Sequence, residues 1–432
     1  MIRIFSKKLW NEAKGKFEPG LLAISDDKIE SLTFGKPEGV AAKQKIMDFG
    51  SLYIGPSAID LHVHARDFNE SHKETFETCE KSALKGGVSR VVCMANTRPR
   101  LDSVAQILEF FKRTKKLRAR FIPFAAATQN LEGIEPTDWN ALLSMPIAGL
   151  SDDGKPILDE KILRAALLAT KKKSKFVSLH EEDTRISKCS ALHLSETSMR
   201  LGIEGSPSSA ESSLVQRDLK IAADVKAHLH LGHISSAESV ALIRKAKRRG
   251  QSVSAELTPH HGFFTVEDAE SLPLSQLSQF KVCPPIRSDE DRDSLGKAVG
   301  DGTLDCFASD HAPHSRFEKN LPIDQAMHGL ISLEYFFPLY NELRIQNAWS
   351  WKSFFAASFS RPAALLPHLK GIGKFSKGFE ASFIMFDPDL EQVLRFRASK
   401  SSNTLFEGKQ IRGCIFQHWI SGKKVYDLAE KS

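Results

Sequence analysis

The strongest constraint on the fold is a repeat of form. Eight short apolar segments, at 58–64, 89–95, 121–127, 147–151, 176–180, 228–233, 252–258 and 304–310, alternate with stretches of helical pattern. Val104, Ile107, Leu108 and Phe111 make one such stripe, with the i, i+3, i+4, i+7 spacing of a helix face. Ser235 with Glu238 reads as a capping box opening a helix that runs to Arg249, and Ser288 with Asp291 is a weaker signal of the same kind. Strand–helix alternation repeated eight times predicts an α/β fold, a TIM-like (β/α)8 barrel, with a doubly wound sheet as the alternative. The two ends of the chain differ from the middle. Segments 21–25 and 28–32 flank a turn at Asp26-Asp27, and 381–386, 411–420 and 423–426 follow near the other end, the last two joined by Ser421-Gly422. These ends are expected to form one small β-sandwich subdomain, 1–53 with 366–432, beside a barrel at 54–365.

Composition narrows the class. Of 432 residues, 41% are hydrophobic and 26% charged, which excludes a disordered or fibrous chain. No apolar run approaches the roughly 18 residues that cross a bilayer. The first residues, MIRIFSKKLWNEAKGKF, are charged throughout. A cytoplasmic protein with no membrane partner is expected. The net charge of +7 is modest, and the basic runs at 112–116, 171–175 and 245–249 fall on or at the ends of predicted helices. They read as solvated helix faces, so no nucleic-acid partner is expected. Six cysteines include no CxxC pair and are expected as free thiols, with Cys93 and Cys306 as small core residues.

Metal-ligand residue types collect where the apolar segments end. The first ends in Asp60-Leu61-His62-Val63-His64. Residues i and i+2 of a strand point the same way, so both imidazoles can reach one ion. The fourth leads into Ser151-Asp152-Asp153-Gly154, the fifth ends at His180 before Glu181-Glu182-Asp183, the sixth at His233 and the eighth at Asp310-His311. One such residue alone is more often a hydrogen-bonded core group. Ligand types at five of eight strand ends are hard to explain as packing, because a buried unpaired cluster is costly. Spacing leaves His228 and His230 in competition with His233. His260 and His261 fit a supporting layer around a metal site. His72, His193, His368 and His418 read as surface or packing residues in loops or helices.

These motifs identify a resemblance. The chain is similar to the dihydroorotases of the amidohydrolase superfamily, of the longer single-chain bacterial type. The likeness is carried by DLHVHARD at 60–67, ANTRP at 95–99, SDDGKPI at 151–157, HEED at 180–183, GHISSAESV at 232–240, AELTPHH at 255–261, PPIRSDEDRDSL at 284–295 and DCFASDHAPH at 305–314. It implies two zinc ions per chain. His62, His64 and Asp310 would hold the first, His180 and His233 the second, and Asp153 would bridge them. It thereby favours His233 over its two neighbours. Many relatives bridge their metals with a carbamylated lysine, and no lysine stands at the fourth strand end here. The resemblance also implies that Arg66 grips the substrate carboxylate, that Asn96 and His314 assist at the same end, and that Met327-His328-Gly329 meets the ring.

Two positions depart from the family pattern. Cys283 stands before Pro284-Pro285 where asparagine is usual, and Met327-His328 replaces a proline and a common aromatic. Both positions are implied to meet substrate rather than metal.

The implied activity is reversible cyclisation of N-carbamoyl-L-aspartate to L-dihydroorotate and water, a step of pyrimidine synthesis, using a hydroxide held by the two zinc ions and Asp310 as general acid and base. A cyclic amidohydrolase of the hydantoinase or allantoinase type is the alternative enzyme; a neutral ring needs no guanidinium clamp such as Arg66. A scaffold partner of aspartate transcarbamoylase is the alternative of another class; it is expected to have lost metal ligands. The resemblance leaves open a homodimer or a complex with that transcarbamoylase.

Overall fold

The computed structural model describes residues 1–35, 45–188 and 190–431. Strands β1 (Ile2–Asn11), β2 (Lys16–Ser25) and β3 (Lys28–Phe34) form an antiparallel meander. The expected turn joins β2 to β3, with Asp26 at φ 54°, a left-handed conformation that aspartate tolerates better than most residues. Strands β4 (Met47–Asp48) and β5 (Tyr53–Pro56) run parallel to β1.

All eight apolar segments contain a strand. The strands are β6 (Ala58–Val63), β7 (Val88–Cys93), β8 (Arg120–Pro123), β9 (Gly149–Ser151) and β10 (Phe176–Leu179). A two-strand ladder, β11 (Leu192–His193) with β12 (Gly205–Ser206), follows β10. Then come β13 (Leu229–Leu231), β14 (Val253–Leu257) and β15 (Cys306–Phe307). β6, β7 and β8 form one parallel sheet, and β9, β10, β13, β14 and β15 another. Parallel bridges Ala125↔Leu150 and Val63↔His311 link the two at both edges. Except for Arg120, every residue of these eight strands is buried. Such strands read as continuous apolar runs because both faces are covered. Gly149 allows β9 to approach β10: a Cβ there would lie 2.1 Å from the Phe176 carbonyl oxygen.

Helices cover the outside of the strands. In Val104–Thr114, Ile107, Phe110 and Thr114 are buried. Leu108, expected in the apolar stripe, is 54% exposed, so the packed face is rotated from the one the pattern suggests. Helix Ala237–Arg248 is capped by Ser236, not Ser235. Ser235 instead donates to Glu211 and accepts from Arg287. Ser288 and Asp291 form the expected reciprocal box. The basic runs place Lys and Arg in last helical turns, where they complement the helix dipole.

The chain then returns to the first sheet through β16 (Phe383–Val393), β17 (Gln410–Ile420) and β18 (Lys423–Asp427). The order is β18-β17-β16-β5-β1-β2-β3, with β4 beside β1. Hydrogen bonding therefore unites the two ends in one continuous sheet, where two facing sheets of a sandwich were expected. Strand patterns alone do not distinguish edge-to-edge pairing from face-to-face packing. Aromatic contacts fasten this sheet to the helical layer, with Trp10–Phe355 and Phe17–Trp351 centroids 4.8 and 5.3 Å apart. His193 and His418, expected in loops or helices, lie in β11 and β17, and His418 Nδ1 meets the Leu84 carbonyl at 2.9 Å.

Among the described residues, Cys79, Cys93, Cys306 and Cys414 are free thiols; Cys189 lies outside them. No described helix is long and apolar enough to cross a membrane.

Candidate metal and substrate site

Six buried side chains converge beyond the carboxyl ends of the parallel strands. His62 ends the inward row of β6, and His64 follows one residue past it. Asp60 supports this end, its Oδ1 accepting from the His62 and Ser309 amides at 3.1 Å each. Burial pushes the Asp60 carboxyl up to about 7, and those hydrogen bonds oppose the rise. Asp153 follows β9 and is the shared member of two ligand groups, His62–His64–Asp153 and Asp153–His180–His233, each with its ligand atoms within 4.8 Å of one another. Asp153 Oδ1 lies 3.2 Å from His62 Nε2, 3.4 Å from His233 Nε2 and 3.7 Å from His180 Nδ1, and its Oδ2 lies 3.5 Å from His64 Nε2. Asp310 Oδ1 lies 3.1 Å from His64 Nε2 and 3.6 Å from His62 Nε2.

The donor set suits cations. His62 Nε2 and Asp153 Oδ1 are fully buried, and despite their closeness neither makes a hydrogen bond of acceptable geometry. Imidazole nitrogens and carboxylate oxygens at this spacing can hold a metal ion. The electrostatics agree. Burial alone would raise the Asp153 carboxyl, but the imidazoles of His62, His180 and His233 hold it well below the usual range. Burial likewise opposes a charge on His62, and the carboxylates of Asp153 and Glu256 reverse the balance in favour of the proton. A field that holds a proton there also attracts a metal cation.

Backbone reversals aim two of these side chains and the neighbouring Arg66. Arg66, His233 and Asp310 have φ of 53°, 28° and 44°, a sparsely populated region for residues with a Cβ. The reversal after Gly232 answers the competition among the histidines. β13 ends at Leu231, so His233 escapes strand parity and reaches Asp153. His230 instead bonds Ser254 and Glu256 at 2.7 and 2.9 Å, and His228 bonds Ser252 and Ser254.

Glu256, on β14, was not singled out from the sequence. It is fully buried, and its Oε2 accepts from His62 Nδ1 at 3.0 Å and from the His233 amide at 3.2 Å. This leaves His62 Nε2 facing the cluster, the orienting role that carboxylates play behind metal-binding histidines. A glutamate inside the apolar run of β14 was the available signal. Asn96 does the same for His64, with Oδ1 at 3.0 Å from Nδ1, so part of its hydrogen-bonding capacity is already engaged. His260 Nε2 stands 4.0 Å from Asp310 Oδ2, and His261 Nε2 meets the Pro284 carbonyl at 3.0 Å.

A cavity of about 310 Å³ opens over the cluster. Every site residue expected from the sequence lines it except His62, which lies behind. Arg66 is buried there, its Nε donating to the Pro313 carbonyl and its Nη2 to His314 Nε2, both at 3.1 Å. Burial pushes His314 down to about 3, which keeps the imidazole neutral as an acceptor; nearby Arg66 adds to this and Glu318 opposes it. Cys283 faces the cavity and also lies against His180, so this position touches a cluster imidazole as well. Lys73, Arg98, Arg100 and Lys155 also line the cavity together with Glu70, and Lys73 is buried and paired with Glu70 at 2.9 Å. A larger hollow, about 820 Å³ beside residues 26–27 and 420–425, has no histidine or cysteine among its described lining residues.

The fold is shared with solved hydantoinase structures. An L-hydantoinase (dihydropyrimidinase) from Arthrobacter aurescens superposes with a TM-score of 0.85 over 99% of this chain and 96% of its own, at 20% identity, a likeness of fold alone. Residues 51–239 match the family model described as dihydro-orotase-like. A dihydroorotase from Anaplasma phagocytophilum is 35% identical over 409 residues, covering 92% of this chain and 89% of the relative. One from Staphylococcus epidermidis is 34% identical over 387 residues, covering 89% and 90%. The chain belongs to the dihydroorotase family.

Proposed function

We propose that this protein is a dihydroorotase, interconverting N-carbamoyl-L-aspartate and L-dihydroorotate in pyrimidine synthesis. The observation that carries the reading is a buried guanidinium, Arg66, lining the same cavity as five of the six clustered metal-ligand side chains, with His62 directly behind them. In this reading the eight parallel strands are a (β/α)8 barrel spanning 54–365, a view supported by the parallel bridges at both sheet edges. The segments 1–53 and 366–432 then form the companion β subdomain. Free thiols among the described residues favour a reducing, cytoplasmic setting.

His62, His64 and Asp310 would hold one zinc ion, His180 and His233 a second, with Asp153 between them. Bound there, the ions would polarise the ring carbonyl and make a water nucleophilic near neutral pH. The chain supplies the rest. Asp310 is held well below the usual carboxylate range, burial being outweighed by His64 and its neighbours, so it is ionised and able to accept a proton. During ring opening it takes the proton from the attacking water and passes it to the departing ring nitrogen; in closure it takes the proton from the carbamoyl nitrogen as that nitrogen bonds to the carboxyl carbon, and delivers it to the hydroxyl that departs as water. Arg66, fixed by Pro313 and His314, pairs with the substrate carboxylate through its remaining N–H groups. Asn96, Cys283, His314, His328 and Gly329 complete the substrate surface.

The test is turnover of dihydroorotate beside hydantoin and allantoin by the metal-loaded protein and its Arg66→Lys variant. Dihydroorotate should be the substrate, and a point ammonium should not reproduce the two-pronged contact. Preference for a neutral ring, or unchanged dihydroorotate kinetics in the variant, would refute the reading.

A further inference from the structure

One buried ammonium ties together two of the loops that face the cavity. Lys319 ends the short helix Arg316–Lys319 and is 1% exposed. Its Nζ donates to the carbonyls of Met327 at 2.9 Å, Gly329 at 3.1 Å and Lys281 at 3.3 Å. Among the described residues no carboxylate lies within ion-pair distance of it, and burial, aided by the like charge of nearby Lys281, pushes its pKa down to about 7, while the three carbonyl acceptors favour the protonated form. Burying an ammonium without a counter-ion is costly, and an apolar side chain would fill the space at less cost. What the ammonium provides is three N–H donors for three carbonyls.

The positions of those carbonyls give the arrangement its meaning. Two flank His328, and the third lies two residues before Cys283. The same loops are stitched directly, since the Gly329 amide donates to the Lys281 carbonyl at 2.9 Å and the Met327 amide to the Glu318 carbonyl at 3.2 Å. The fit is tight: Gly329 has φ 125°, and a Cβ there would stand 2.6 Å from that of Ala312. Lys319 itself does not line the cavity.

We propose that Lys319 is a positioning residue that holds segments 281–283 and 327–329 together and so sets the substrate affinity of the cavity without touching the substrate. The proposal rests on the reading of that cavity as the dihydroorotate site. It predicts a split between binding and chemistry, because the carbonyls it holds belong to the substrate side and not to the six-ligand cluster.

The experiment compares wild type, Lys319→Met and Lys319→Arg for steady-state kinetics on dihydroorotate, metal content and amide hydrogen exchange. Lys319→Met should raise KM roughly tenfold or more while kcat stays within about threefold, the signature of lost uniform binding. Metal content should not change, and Lys319→Arg, which retains charge and donors, should recover much of the affinity. In the substrate-free protein the Met327 and Gly329 amides should exchange faster in Lys319→Met. Should that variant not fold, Lys319→Gln, with two donors, is held to the same criteria. Unchanged exchange at these amides overturns the proposal whatever the substrate proves to be, and so does a loss confined to kcat. A wild-type protein inactive on dihydroorotate, with exchange altered as expected, refutes the substrate assignment alone and leaves the tie between the loops in place.

Discussion

The Cys283 thiol lies 3.4 Å from Nε2 of His180, the nitrogen opposite the one that faces Asp153 and His233. Residue 283 therefore meets both the substrate space and the back of a cluster imidazole. A thiol is a weak partner for either, whereas the asparagine usual in the family offers a donor and an acceptor.

Cys283→Asn should accordingly lower KM for dihydroorotate and change kcat little. Matching one buried polar group is worth about 1–3 kcal/mol, which corresponds to roughly ten- to hundredfold in affinity. Steady-state kinetics at equal metal occupancy decide the matter. An unchanged or higher KM would mean that the pocket has adapted to the thiol.

Asp153 is the shared member of both ligand groups. Elemental analysis of the purified protein should find close to two zinc-type ions per chain, and a strong chelator should abolish activity. Asp153→Ala should retain one ion or fewer, because a bridging anion offsets the repulsion between two cations. Full activity in metal-free protein would end the metal reading.

Asp310→Asn removes the proton acceptor while keeping the shape of the side chain. Turnover should fall by about a hundredfold or more. Since Asp310 also stands 3.1 Å from His64 Nε2, metal content must be measured in the same preparation. A variant with both metals and near-normal turnover would exclude the proton transfer assigned to this residue.

Tyr340 provides a test of stability away from the chemistry. Its buried hydroxyl shares its proton between the Leu257 and Ala308 carbonyls, at 2.5 and 2.8 Å, and accepts from the Ala308 amide at 3.2 Å, and its ring stacks on Phe307 with centroids 4.0 Å apart. Tyr340→Phe keeps the stacking and strands the Ala308 carbonyl, while the Ala308 amide keeps its bond to the Leu257 carbonyl at 3.0 Å, at a cost of about 1–3 kcal/mol. Calorimetry should show a lower unfolding midpoint with metal content unchanged; an unaltered midpoint would mean that the backbone groups find other partners.

The legibility of this protein in its sequence follows burial. Strands covered on both faces give apolar runs, so all eight parallel strands could be located, and the polar residues ending those runs, His62 through Asp310, come together in space. Features that depend on local backbone geometry were less accessible. Strand parity could not select His233, because its placement needs the reversal after Gly232. The capping signal at Ser235 was one residue early, because Glu211 engages that side chain and leaves the cap to Ser236. Glu256 was passed over because a lone glutamate in a strand has no spacing signature; its meaning lies in His62 and His230, which are distant in sequence from each other. The pairing of the two chain ends into one sheet depended on which edges meet, and residue patterns do not encode that.

That sheet has a consequence for how the chain is made. β5 lies between β1 and β16, with Tyr53 opposite Phe386, so the first strands to leave the ribosome cannot complete their pairing until almost the whole protein has been synthesised. Until then β5 has an open edge, and in a crowded cell an unpaired edge invites the wrong neighbour. Chaperone demand should therefore be greatest late in translation. A nascent chain arrested before residue 383 should aggregate more readily than one released with all of β16.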